Sequence, residues 1–187
     1  MISIVEHVWE SIQSRIKILL LKLEGAQIGA KVKLSLRTSI PKYVSKIKIS
    51  SGVSLDRNVV LLIAADNPSE TVIELGENVY INKNTIIDAS KKILIGAESM
   101  IGANCYITDH DHNFQNFPPR QKLSSLPLAG NRTVIEENVW IGSNVVILKG
   151  VTIGAHSVIG AGSVVSRSIP SYSIAVGNPC RVIKKKS

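Results

Sequence analysis

The chain has 187 residues, of which 44% are apolar and only 4% aromatic, with two cysteines and a net charge of +8. That aliphatic content suits one domain with a real core and excludes a disordered chain, and two cysteines exclude a disulfide framework. The positive surplus admits nucleic acid, anionic lipid or a polyphosphorylated ligand, but so few aromatic side chains argue against single-stranded nucleic acid held by stacking.

Residues 1–24 place Ile4, Val5, Val8, Ile12, Ile16, Leu19, Leu20 and Leu23 at i, i+3/i+4 spacing. This predicts an amphipathic helix stopping at Gly25, a good residue for a left-handed C-terminal cap. Its charged residues keep it from being a membrane span, and it lacks the cleavage site of a signal peptide. The expected location is therefore cytoplasmic. The helix is expected to cap the open end of the repeat array that begins at residue 25, with peripheral membrane contact through Arg15, Lys17 and Lys22 as the second reading.

From residue 25 the period changes to six. Ile28, Gly29 and Val32 open the series, which is ragged over 33–48. Ile49, Leu55 and Leu61 come next, with Val53, Val59 and Ala65 four positions on; then come Leu75, Ile81 and Ile87, with Val79 and Thr85. After a two-residue slip come Ile95-Gly96 and Ile101-Gly102, with Ser99 and Cys105. Ile135, Ile141, Ile147, Ile153, Ile159 and Val165 complete the pattern, with Gly142, Gly154 and Gly160 next to three of them. A period of six matches neither helix nor simple strand. It matches a three-sided solenoid of about 18 residues per coil, with the aliphatic residue and the small one four later facing inward. The glycines are expected to serve turns that need positive φ. Residues 25–168 are thus expected to form an all-β solenoid. One long loop, 108–133, interrupts it and carries Phe114 and Phe117, candidates to line a substrate pocket or to pack against a neighbouring subunit, and residues 169–187 form a basic tail.

The aliphatic-Gly hexads resemble the hexapeptide-repeat acyltransferase family. Residues 139–186, VWIGSNVVILKGVTIGAHSVIGAGSVVSRSIPSYSIAVGNPCRVIKKK, are similar to the C-terminal signature of its maltose/galactoside O-acetyltransferase-like branch. The resemblance implies a left-handed parallel β-helix, acetyl-CoA as co-substrate without a metal, and a homotrimer with active sites between subunits. It also implies a sugar hydroxyl as acceptor, and the short basic N-terminus is similar to that of enzymes of surface polysaccharide biosynthesis (capsule, O-antigen or exopolysaccharide). An amine acceptor on a nucleotide-linked amino sugar, or a non-catalytic β-helix scaffold, are the rival readings.

Acyl transfer to a hydroxyl needs a base, an oxyanion donor and a nearby thioester. Of the four histidines, His7 and His156 read as surface residues, whereas His110 and His112 sit in Asp109-His110-Asp111-His112. Such alternation could bind metal, but no Cys or third carboxylate lies near in sequence. Asp109 and Asp111 are candidates to orient an imidazole. The family's catalytic His falls five positions after the residue that is Ile107 here, which implies His112 as base and His110 as its alternative or partner. Tyr80-Ile81-Asn82-Lys83-Asn84 resembles the family's Y-A-N-F-N segment, which places Asn82, with Asn84, near the acceptor; turn satisfaction is the other reading for both. By resemblance Trp140 shapes the site, and the Ser143 amide becomes the oxyanion donor. Ala161, Ser166 and Arg167 line the pantetheine groove, and Arg181 and Lys184 meet the phosphates. Ser166-Arg167 stands where the family has Thr-Lys. Cys105 and Cys180 read as structural.

Overall fold

A computed structural model of the chain describes residues 2–40, 42–64, 68–70, 72–114, 122 and 125–185, with the side chains of 2–8 and 10 left aside. The hexads build a three-sided left-handed parallel β-helix. Its first face stacks Gln27–Ile28, Ile47–Ile49, Ile73–Leu75, Ile93–Ile95, Thr133–Ile135 and Thr152–Ile153 in parallel. The second face runs from Lys33–Leu34 through Ser54–Leu55, Tyr80–Ile81, Met100–Ile101, Trp140–Ile141 and Val158–Ile159 to Ser173–Val176. The third holds Val60–Ile63, Ile86–Ala89, Tyr106–Thr108, Val146–Ile147 and Val164–Val165.

Each face contributes a column of buried aliphatic side chains to the core, such as Ile49, Leu75, Ile95, Ile135 and Ile153 on the first. The position four residues later fills the corners. Where a serine or threonine sits there, its hydroxyl ties one coil to the next: Ser99 Oγ donates to the Glu136 carbonyl (3.0 Å) and accepts from the Val139 N–H (3.1 Å). A buried hydroxyl is thereby satisfied without water.

The glycines act differently from expectation. Gly29, Gly96, Gly102, Gly142, Gly154 and Gly160 are absent from the positive-φ residues. What they supply is clearance. A Cβ on Gly96 would lie 2.5 Å from the Glu136 carbonyl carbon and the Glu137 nitrogen of the next coil. The left-handed residue of each corner comes two positions later and is most often asparagine, as at Asn78, Asn104, Asn138 and Asn144, a residue that tolerates this conformation.

The two-residue slip after Ile87 widens the corner from Ile86–Ala89 to Ile93–Ile95, through Ser90, Lys91 and Lys92. The β-helix also extends beyond residue 168. Ile169 bridges to Ile153, and Ser173–Val176 adds a rung on Val158–Ile159. The basic segment then folds back as Arg181–Lys185, antiparallel to Ser173–Val176.

The helix Ile2–Leu23 ends in a Schellman arrangement: Ala26 N–H donates to Leu21 O (2.9 Å) and Gly25 N–H to Lys22 O (3.0 Å), with Gly25 at φ 96. It packs on the first coil as a cap, but through a narrow and partly polar side. Ser14 Oγ accepts from the Leu34 N–H, Lys17 Nζ donates to the carbonyls of Leu36 and Thr38, and Leu21 is buried. Of the apolar stripe read from the sequence, Ile12, Ile16, Leu19, Leu20 and Leu23 face outward, and the side chains of Ile4, Val5 and Val8 lie outside those described.

Gly96→Ala is expected to destabilise the protein by about 1–3 kcal/mol or more, because the intruding atom meets backbone that cannot rotate away. Gly162 has φ +71 and nothing within 4 Å of a built Cβ. Gly162→Asn should therefore leave the thermal midpoint nearly unchanged. Thermal unfolding of both variants separates clearance from φ as the reason for glycine.

Candidate active site

The strand pair His110–His112 and Leu128–Gly130 stands at the corner between the third and first faces. Asp109 fixes it there. Its carboxylate is wholly buried and fills the nest made by the two-residue slip: Oδ1 accepts from Ser90 N–H (2.7 Å), and Oδ2 from Lys91 (2.8 Å) and Lys92 (2.5 Å) N–H. Converging backbone N–H groups of this kind stabilise a buried anion.

Oδ1 of Asp109 also lies 3.0 Å from His110 Nδ1. A carboxylate only accepts, so Nδ1 carries hydrogen. Nε2 of the same ring points at Asp88 Oδ1, 3.9 Å away, and Asp88 Oδ2 accepts from the Tyr106 hydroxyl at 2.7 Å. His110 thus lies between two carboxylates but is hydrogen-bonded only to that of Asp109, since Asp88 Oδ1 has no hydrogen-bond partner among the described residues.

His112 is arranged otherwise. Its Nδ1 lies 3.1 Å from the Leu126 carbonyl oxygen, and the residue is exposed. A carbonyl cannot donate, so Nδ1–H is the donor and Nε2 is left with its lone pair. That tautomer can take a proton from a bound hydroxyl. Asp111 contacts neither imidazole: its Oδ1 accepts from Lys149 Nζ at 2.6 Å, tying the strand to the following coil. Of the two aspartates expected to orient an imidazole, only Asp109 does so.

Trp140 lies on the second face in a column with Tyr80 and Met100 and is 54% exposed, outward as expected. At the corner between the second and third faces, Asn82, Gly102, Gly142 and Gly160 stack through successive backbone hydrogen bonds. The N–H groups of Ser143 and Ala161 at this corner have no acceptor among the described residues. Asn82 Oδ1 accepts from the Lys83 N–H (2.8 Å). Asn84 has a structural role. It is left-handed at φ 59, and its amide sits in a ladder with Asn58 (2.9 Å) and Asn104 (3.0 Å). Its Oδ1 accepts from Asn58 and its NH₂ donates to Asn104, the turn satisfaction that was the other reading of this residue.

Ser166 and Arg167 come directly after Val164–Val165 at the third-to-first corner, above His110 and His112. Arg181 and Lys184 are exposed on the last strand, paired with Val176 and Ile174. One chain therefore carries two separate groups. His110, His112, Ser166 and Arg167 share one corner; Asn82, Trp140, Ser143 and Ala161 occupy the second face and its junction with the third.

Phe114 is 63% exposed where the loop leaves its strand; Phe117 lies outside the described residues. The side chain of His7 also lies outside them. His156 stacks on Tyr172 at 4.8 Å. Cys105 and Cys180 are buried, and burial raises both thiol pKa values, so both are neutral thiols near pH 7. Among the described residues, no three His, Cys, Asp or Glu converge to hold a metal. Asp88, Tyr106, Leu126 and Lys149 were missed from the sequence. The slip beside Asp88 was the available signal for a modified corner.

A family model described as bacterial transferase hexapeptide (six repeats) matches residues 132–167. WbbJ of Escherichia coli K12, carried under the name of a lipopolysaccharide biosynthesis O-acetyl transferase, is 36% identical over 119 residues, 61% of this chain and 61% of that protein. The solved structure of a galactoside acetyltransferase in complex with coenzyme A is 32% identical over 79% of this chain and 73% of that one, with TM-score 0.62. A hexapeptide-repeat acetyltransferase of Vibrio cholerae complexed with acetyl-CoA is 25% identical over 92% and 78%, with TM-score 0.67. The chain spans about three fifths of the length of the curated relatives it matches.

Asp109→Asn presents an NH₂ to the N–H nest in place of one acceptor. It is expected to lower stability by about 1–3 kcal/mol and to speed hydrogen exchange at 110–112 and 128–130 ahead of the distant coils. The Tyr106 phenol is pushed up to about 12 from 10.0, first by burial and then by the Asp88 hydrogen bond and charge. Its share of stability is complete below pH 10 and is lost as pH rises through about 12. A spectroscopic phenol titration of Asp88→Asn should show this group falling below its wild-type value yet staying above 10.0, because burial remains.

Proposed function

Because this chain belongs to the hexapeptide-repeat transferase family, we propose that it is an acetyl-CoA-dependent O-acetyltransferase acting on a sugar hydroxyl. The observation that carries this reading is the His112 tautomer: Nδ1–H is committed to the Leu126 carbonyl, so the exposed ring keeps a free lone pair on Nε2. That nitrogen removes the acceptor hydroxyl proton as the oxygen attacks the thioester carbonyl. Negative charge develops on the carbonyl oxygen, where an unpaired N–H such as that of Ser143 stabilises it. Collapse breaks the carbon–sulfur bond, and the imidazolium returns its proton to the leaving coenzyme A thiolate. No acyl-enzyme forms.

The chain assembles as a homotrimer. The separation of the two residue groups supports this, since His112 with Ser166 and Arg167 from one subunit can meet Asn82, Trp140, Ser143 and Ala161 from the next. The pantetheine arm lies in that seam, and Arg181 and Lys184 meet the phosphates, where a guanidinium fork suits the anion. WbbJ's assignment to lipopolysaccharide biosynthesis supports a surface-polysaccharide sugar as acceptor. Such a reaction takes place on the cytoplasmic side, where acetyl-CoA is held.

His112→Ala should lower turnover by ~10²–10⁴-fold while coenzyme A binding persists. Activity within tenfold of wild type would exclude His112 as base. Co-expressing His112→Ala with Trp140→Ala subunits should restore activity that neither has alone, because a mixed trimer rebuilds one intact site. Failure to recover any activity would place the site within one subunit. A base-stable amide product would shift the acceptor from hydroxyl to amine.

A further inference from the structure

We propose that the N-terminal helix is an in-plane membrane anchor that docks the β-helix on an anionic lipid surface. Trp9, Ile12, Ile16, Leu19, Leu20 and Leu23 are all exposed, from 44% at Ile12 to 76% at Leu23. At about 100° per residue, these six fall within one arc of roughly 100°, a continuous apolar stripe. Among the described residues, none covers it. The helix is already held to the first coil from its other side, by Ser14, Lys17 and Leu21. Leu36, half exposed on the same coil, sits beside the Lys17 contact.

Charge selects the occupant. The first 50 residues contain nine Lys and Arg against three Asp and Glu, six of the eight net positive charges of the chain. Arg15 and Lys22 are exposed along one flank of the stripe, and Lys31, Lys33, Arg37, Lys42 and Lys48 are exposed on the N-terminal coils, on more than one face. A second copy laid antiparallel and face to face on the stripe would bring the Arg15 and Lys22 flank against the same flank of its mate. Anionic head groups neutralise Arg15 and Lys22 while the stripe enters the acyl boundary, and the positive N-terminal coils add longer-range attraction. No described helix is long and apolar enough to cross a membrane, so the helix lies in the interface. The proposal is independent of acceptor chemistry.

The test is sedimentation of the full chain with vesicles of phosphatidylcholine alone and of phosphatidylcholine with phosphatidylglycerol. Binding is expected only to the phosphatidylglycerol vesicles and should weaken as salt rises. The double variant Leu19→Gln/Leu20→Gln should lower partitioning at least tenfold, with its thermal midpoint unchanged because both side chains are exposed. Arg15→Glu/Lys22→Glu keeps the apolar stripe and should also abolish the phosphatidylglycerol preference. Absence of vesicle binding, or binding untouched by both variants, overturns the proposal. So does a higher oligomer of the wild-type chain that Leu19→Gln/Leu20→Gln disperses without any vesicle binding, which would make the stripe a self-association surface.

Discussion

Everything in this molecule depends on how closely one coil lies on the next. Neighbouring parallel strands are held about 4.8 Å apart by their hydrogen bonds, and the corners must keep that spacing as the chain turns. At Gly96, Gly102, Gly142 and Gly154 the backbone of the following coil fills the space a side chain would need. The inward columns can then stack aliphatic groups on themselves without gaps. The same narrow cross-section leaves no room for aromatic rings inside, which accounts for a chain with only 4% aromatic residues. Trp9 and Trp140 are both on the surface.

The solenoid was legible because its constraint repeats. Each coil imposes the same demand at the same positions, so Ile135 to Val165 spell the architecture six residues at a time. The reason for glycine was not legible, because a clearance requirement and a dihedral requirement select the same residue. Only the folded backbone separates them, by putting positive φ at Asn104 and Asn144 rather than at Gly102 and Gly142. The last rung was missed because Ile169 follows Val165 by four residues instead of six, which breaks the period before Ala175 resumes it. The outward turn of the helix stripe was missed because amphipathic spacing does not say which side of a helix finds its own protein.

The candidate site was legible in its motif and not in its wiring. Asp109 lies in the bend before the strand, and within His110–His112 successive side chains point to opposite sides. That alternation sends Asp111 to Lys149, a residue 38 positions away. The partner of His112 is a backbone carbonyl, which has no signature in sequence. Asn82 and Asn84 look equivalent in their motif, but the corner geometry divides them: Asn84 falls on the left-handed position and is drawn into the ladder with Asn58 and Asn104.

The excursion between Thr108 and Thr133 leaves and re-enters the β-helix at one corner. Across it, Met100 pairs with Trp140 and Ile107 with Ile147 in unbroken register. The coils beneath and above stack as though the intervening residues were absent. Closing a longer loop costs little more than closing a shorter one, because the entropy grows only with the logarithm of length. The segment between His112 and Leu126 can therefore be lengthened, shortened or rewritten over evolutionary time without disturbing the rungs that carry the rest of the protein. Such a fold decouples innovation from stability: the stack is inherited, and the segment beyond His112 is free to diversify.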